Sequence, residues 1–257
     1  MGTGAITQYV DVAQLVLYAF WIFFAGLVYY LVRENHREGY PMDSGRDGGP
    51  LVTGWPVPPP KVFKTEHGDV TVPIREKDAR PLALTPVYGS NSAPLEPTGD
   101  PLVDGVGPAA WTPRADTPDV NGEGRVRIQP LRVLADYDLS TKDTNPRGLQ
   151  VIDPQGEVAG TVSDAWVDVA DMLVRYLEVD VDTAQGTRKV LVPMNFARVK
   201  GGKDAHVKVE ALLAGHYANV PGTKSPDQIT LLEEEKICAY FGGGTLYATP
   251  ERQEPMA

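Results

Sequence analysis

Two stretches of this sequence concentrate ionisable side chains. Asp164, Asp168 and Asp171 lie in one, and Asp116, Asp119, Glu123, Arg125 and Arg127 in the other. Carboxylates held close together raise one another's pKa, so such a cluster can exchange protons near neutral pH. The same spacing suits a solvated acidic face, and the pattern by itself leaves both readings open. Other chemistry has little support. There is no G-x-S-x-G, no H-E-x-x-H and no phosphate-binding glycine loop. His36, His67, His206 and His216 are scattered, with no pair at metal-ligand spacing on one element. Gly156 and Gly160 form a lone pair at an expected turn and carry no nucleotide-binding information. A catalytic site is not expected.

The elements that would position these carboxylates are mostly strands. Residues 175–182 alternate, with Leu177, Val179 and Val181 on one side and Glu178, Asp180 and Asp182 on the other. That is the pattern of a half-buried strand. A turn at 183–187, a return strand at 188–193 and strands at 158–169 and 206–211 follow the same logic. Short strands with turns between them predict a small antiparallel barrel or sandwich over residues 131–257. One late helix is expected at about 231–247. Thr230 and Glu233 make a capping box, and Glu234 and Glu235 join them in the first turn. Ile237, Tyr240, Phe241 and Gly244 then recur at helical spacing. Three glycines, Gly242 to Gly244, each weaken an isolated helix by about 1 kcal/mol. They permit close approach of another backbone or end the helix outright, and close packing is the favoured reading.

Residues 12–32 contain no charged side chain. As a helix they span roughly 31 Å at about 1.5 Å per residue, close to the thickness of a bilayer's hydrocarbon core. A transmembrane helix is expected there. A signal peptide would want a basic leader and a shorter apolar core. Arg33 and Arg37 follow the run, so its far end is expected to be cytoplasmic and residues 1–11 periplasmic. Tyr9, Tyr29 and Tyr30 flank the run like interfacial anchors, although plain apolar helix surface explains them equally well.

Residues 33–130 are rich in proline and glycine, as in PMDSGRDGGP (41–50) and WPVPPPK (55–61). Yet Trp55, Phe63, Leu82, Leu84, Tyr88 and Trp111 are too many large apolar groups for a solvated tether. An extended segment lying against another surface is expected, with a short strand near 69–74. All 24 basic residues and all but one of the 34 acidic residues lie from Arg33 onward. The resulting acidic portion does not favour nucleic acid or an anionic leaflet. It would be kept at the membrane by its helix and by protein partners. The single cysteine, Cys238, suits a reducing compartment and is expected to be a small buried hydrophobe.

Three long stretches are distinctive: AFWIFFAGLVYYLVRENHREGYPM (19–42), PTGDPLVDGVGPAAW (97–111) and ITLLEEEKICAYFGGGTLYATP (229–250). They closely resemble the H subunit of the purple-bacterial photosynthetic reaction centre, in order and over nearly the whole chain. The resemblance implies one transmembrane helix, a surface-hugging segment and a cytoplasmic domain of the PRC-barrel type. It implies a subunit of the bacterial inner photosynthetic membrane that binds no cofactor itself. Its role would be to cap and stabilise the L and M subunits. Those partners carry bacteriochlorophyll, bacteriopheophytin, quinones and non-haem iron, and a light-harvesting antenna would lie nearby.

The resemblance further implies help with proton transfer to the secondary quinone. Asp168 and Asp171 match family carboxylates near that path, the latter where glutamate is usual. Arg175 matches an arginine that would offset their charge. Asn121, Glu123 and Arg125 stand where some members carry an acid and two histidines. Proton uptake is therefore expected through Glu123 and Asp119 or another mouth, without a zinc or cadmium site. Tyr30, Arg33 and Arg37 lie at headgroup depth and are candidate contacts for an anionic phospholipid. The competing readings are a membrane-anchored PRC-barrel adaptor outside photosynthesis, which leaves the first two motifs unexplained, and an anchored enzyme, for which no motif exists.

Overall fold

The computed structural model describes residues 4–7, 11–40, 57–66, 68–72, 80–89 and 93–253. Tyr9, Trp55 and residues 73–74 of the expected strand lie outside these. The chain divides into two compact units, one of residues 1–80 with 88–94, the other of 81–87 with 95–257.

In the first unit, helix α1 runs Val12–Asn35 and is capped by Asp11, whose side chain accepts from the Gln14 amide. It extends three residues past the expected end at 32. No residue of α1 is buried within the chain. Its length of about 36 Å and its apolar surface make it a candidate membrane span. Just beyond it, Arg37 forks onto Glu34 at 2.8 and 2.9 Å and reaches the Pro59 carbonyl. Lys61 also pairs with Glu34 at 2.8 Å. A hairpin follows, with strand β1 at Lys61–Thr65 and β2 at Gly68–Val72. Every residue of both strands is exposed, so neither face finds cover among the described residues. Both Val62 and Phe63 are among them.

The second unit begins with two short paired strands, β3 (Leu84–Pro86) and β4 (Leu95–Pro97). A single helical turn, α2, then spans Pro101–Asp104. Leu102, Val106 and Ala109 are buried. Compactness therefore begins well before residue 131, where the barrel-like domain was expected to start. Local pattern hides this, because three apolar residues among prolines and glycines have no period.

Seven strands make the main sheet: β5 (Ile128–Pro130), β6 (Gln150–Ile152), β7 (Val158–Asp168), β8 (Leu173–Thr183), β9 (Gly186–Pro193), β10 (Ala197–Lys200) and β11 (His206–Val209). Their order is β10-β11-β6-β7-β8-β9, with β5 also paired to β7. Every pairing is antiparallel except β11 with β6, so the sheet is a half-barrel with one parallel seam. Long strand β7 accommodates β6 at one end and β5 at the other.

Helix α3, Leu231–Tyr247, caps the core with Ile237, Tyr240 and Phe241. The Thr230–Glu233 capping box forms as expected, Thr230 N donating to Glu233 at 2.9 Å and Glu233 N to Thr230 at 3.1 Å. Gly243 and Gly244 pack closely, and the helix continues through the run instead of ending at it. A Cβ on Gly243 would meet Ala109 Cβ at 2.5 Å, and one on Gly244 would meet the Ala211 carbonyl oxygen at 2.5 Å.

One residue departs from the alternating pattern. Glu178 was assigned to the wet face of β8, but it is only 2% exposed. It accepts from Lys189 (2.6 Å), Arg132 (2.8 Å) and Trp166 Nε1 (2.9 Å). Burial pushes its carboxyl up, but these three bonds outweigh burial and leave it below the usual carboxylate range. A charge buried with this many donors satisfies the rule that only paired charges go inside.

The Tyr217 hydroxyl is the opposite case. Its ring is fully buried, edge-on to Phe241 at 6.1 Å between centroids, and its oxygen has no hydrogen-bond partner among the described residues. An unpaired buried hydroxyl costs about 1–3 kcal/mol. Tyr217→Phe should therefore leave the protein as stable or raise its stability by about 1 kcal/mol. Denaturant unfolding of the full-length chain in detergent checks this, and a clear loss would show that the hydroxyl is bonded in solution.

Candidate functional site

The β5–β7 register builds the site. Ile128 pairs with Asp168, which brings Arg127 beside the end of β7. Arg127 donates to both oxygens of Asp168, at 2.6 and 3.3 Å. It also reaches Asp171 at 2.8 Å and Asp119 at 3.2 Å. Backbone bonds lock the same three segments, from Arg127 N to Asp119 O (2.9 Å) and from Val169 N to Arg127 O (2.9 Å). Asp168 Oδ1 then accepts from the amides of Ala170 (2.9 Å) and Asp171 (3.2 Å). The turn closes at Met172, a non-glycine residue in the left-handed region at φ 56°.

These three carboxylates thus converge on a guanidinium. Asp168 is nearly enclosed, while Asp171 and Asp119 remain open to solvent. Burial pushes the Asp168 carboxyl up. The Arg127 guanidinium and the two backbone amides more than offset this and hold it below the ordinary carboxylate range. The expectation that neighbouring carboxylates raise one another's pKa fails for Asp168, because a cation lies between them.

A cleft of about 280 Å3 opens beside this cluster, lined by Asp119, Arg127, Asp168, Arg175, Tyr176 and Glu234 among others. Arg175 faces the cleft, yet the cation bonded to Asp168 and Asp171 is Arg127. Glu123 is not brought in. It pairs with Arg125 at an exposed hairpin tip, where Asn121 Oδ1 accepts from both their amides at 3.0 Å. Cys238, expected inside, is exposed, with Sγ 3.8 Å from Tyr176 Oη at the same cleft. Arg37, offered as a lipid contact, is already committed to Glu34 and Pro59. Tyr30 is exposed and Arg33 half-exposed on α1.

Sequence reading missed Arg127 as the hub and missed Tyr176 and Glu234 altogether. Arg127 was visible as one basic residue among acids, but only strand register reveals which acids it meets.

A long apolar N-terminal helix and a half-barrel sheet closed by a late helix define a membrane-anchored PRC-barrel protein, and residues 141–210 match the PRC-barrel domain family. Residues 4–133, about half of the chain, match the photosynthetic reaction centre H-chain N-terminal region. The chain belongs to the photosynthetic reaction centre H-chain family. It is a non-pigment, structural subunit of a membrane complex, associated with other reaction-centre subunits.

Proposed function

We propose that this chain caps the L and M subunits on their cytoplasmic side and assists proton transfer to the secondary quinone. The convergence of Asp119, Asp168 and Asp171 on Arg127 beside an open cleft carries this reading. A quinone reduced twice in a buried pocket needs two protons, because an unneutralised buried anion is costly. A covering domain that excludes bulk water must then supply a titratable route. In that route Asp168 is a fixed negative charge, since Arg127 keeps it ionised. Solvent-open Asp171 and Asp119 lie on the route at its mouth, and Arg175 balances charge across the cleft. Glu123 stands apart from the cleft, at the surface tip with Arg125, as a second entry point for protons.

The exposed β1–β2 hairpin, with Val62 and Phe63 uncovered, supports a partner surface for the segment before the barrel. Arg33 and Arg37 after the apolar run support a cytoplasmic domain and a periplasmic N-terminus in the inner photosynthetic membrane. Tyr30 and Arg33 remain candidates for an anionic lipid. The bacteriochlorophyll, bacteriopheophytin, quinones and iron belong to the partners, and an antenna lies nearby in this reading.

Near-infrared bacteriochlorophyll absorption should follow the chain through purification in mild detergent. In the assembled complex, Asp171→Asn should slow the proton-coupled second electron transfer to the secondary quinone about a hundredfold, the low end of the range for loss of one proton-transfer group. The first charge separation should be unchanged. Flash kinetics read both, and parental second-transfer kinetics would remove Asp171 from the route.

A further inference from the structure

We infer that Glu234 is a proton-holding carboxyl of the Arg127 cleft, positioned by Tyr176. The inference rests on the proton-transfer reading and extends it to two residues that reading does not use. Three acids crowd the first turn of α3, and each has a different fate. Glu233 is consumed by the capping box and by the Lys224 amide at 2.7 Å. Glu235 accepts from the Thr112 amide at 3.3 Å and pairs with Arg114 at 3.7 Å. Glu234 instead lines the cleft. Its carboxyl accepts one side-chain hydrogen bond, from Tyr176 Oη at 2.8 Å, and makes no ion pair among the described residues. That separates it from Asp168, which a guanidinium locks as an anion.

Two pairings put Glu234 here. Leu231 N and Leu232 N donate to the carbonyls of Thr117 (3.1 Å) and Ala115 (3.2 Å), which seats the start of α3 against the segment leading to Asp119. Tyr176 sits on β8, paired with Trp166 of β7, and is only 2% exposed. Burial pushes its phenol far up, so the hydroxyl keeps its proton and serves as a fixed donor.

The titratable groups around Glu234 come from every neighbouring element. Asp119, Arg127 and Arg114 face it from the segment before and at β5, Asp168 from β7, and Arg175 and Tyr176 from β8. Glu235 and Cys238 flank it on α3. Burial pushes the Glu234 carboxyl up. The Tyr176 bond, Arg175 and Arg114 oppose this, Asp119 adds to it, and the carboxyl ends above its ordinary value. It therefore carries a proton at a pH where Asp168 does not.

The test is flash-induced proton uptake and second-electron-transfer kinetics against pH, in assembled reaction centres carrying Glu234→Gln, Tyr176→Phe or Asp171→Asn. Glu234→Gln should remove one titrating step and slow the second transfer several-fold. It should also delete one carboxyl C=O band from the infrared difference spectrum of quinone reduction. Tyr176→Phe strips the carboxylate of its donor and should move that step to higher pH. A purely structural role for Tyr176 would move neither the step nor the band. Parental pH profiles in both variants, with Asp171→Asn still slowed, overturn the inference and leave the cleft reading standing. Parental behaviour in all three overturns both.

Discussion

Arg127→Met should destabilise the protein at neutral pH, and the deficit should shrink in acid. Removing one partner of a buried pair leaves an uncompensated charge. Arg127 is 27% exposed against 3% for Asp168, so solvent relieves part of that. The pH dependence follows from the sign of the Asp168 shift. In the parent, Asp168 sits below its unfolded value because Arg127 and two amides outweigh burial. Its stabilising contribution is complete above the unfolded pKa and fades as pH falls through the folded one. Without Arg127, burial faces only the two amides and the carboxyl moves up. A raised carboxyl gives stability below its unfolded pKa and loses it as pH rises through the folded value. The gap between variant and parent should therefore be smallest near about pH 3 and widest near about pH 7, which bracket the usual aspartate value of about 3.9. Thermal unfolding of the full-length chain in detergent at both pH values reads it. An equal deficit at both would show that the loss is packing and not charge. The same substitution frees Asp119 and Asp171 from their common cation, so proton-transfer kinetics in the assembled complex should change as well.

Gly244→Ala should destabilise by about 3 kcal/mol although alanine is the better helix former by about 1 kcal/mol. The new methyl would lie 2.5 Å from the Ala211 carbonyl oxygen, and a backbone atom in a packed core cannot step aside as a flexible side-chain end can. Gly243→Ala should behave similarly, since its Cβ would meet Ala109 at 2.5 Å. Gly242→Ala is the control. Its nearest neighbour would be the Pro108 carbonyl oxygen at 3.6 Å, an ordinary contact. It should therefore stabilise by about 0.5–1 kcal/mol. Opposite signs at adjacent glycines are the diagnostic result, read by chemical denaturation. Destabilisation of equal size at all three would mean that helix α3 is not seated on residues 109 and 211.

The candidate site was half legible in the sequence. Asp119, Asp168 and Asp171 were visible as acids in two separate stretches, and the structure brings them together. Glu123 looked equivalent by composition, but a tight hairpin centred on Asn121 turns it outward onto Arg125. Arg175 shared a short stretch with Asp171, yet Arg127, 41 residues from Asp168 along the chain, is the cation that binds it. Glu178 looked exposed by alternation. It is buried because Arg132, Lys189 and Trp166 converge on that side of the sheet.

The sequence by itself determined the apolar span, the paired strands β7 to β9, the capping box at Thr230 and the close-packed glycines of α3. Each depends on apolar spacing or backbone needs within a turn or a strand, which a one-dimensional pattern records. Only the tertiary structure decided the parallel seam between β6 and β11, the inclusion of Leu102 and Ala109 in the core, and the charge partners of Asp168 and Glu178. Those depend on the register between strands far apart in the chain. A shift of one residue reverses which face a side chain occupies, and no local pattern encodes that choice.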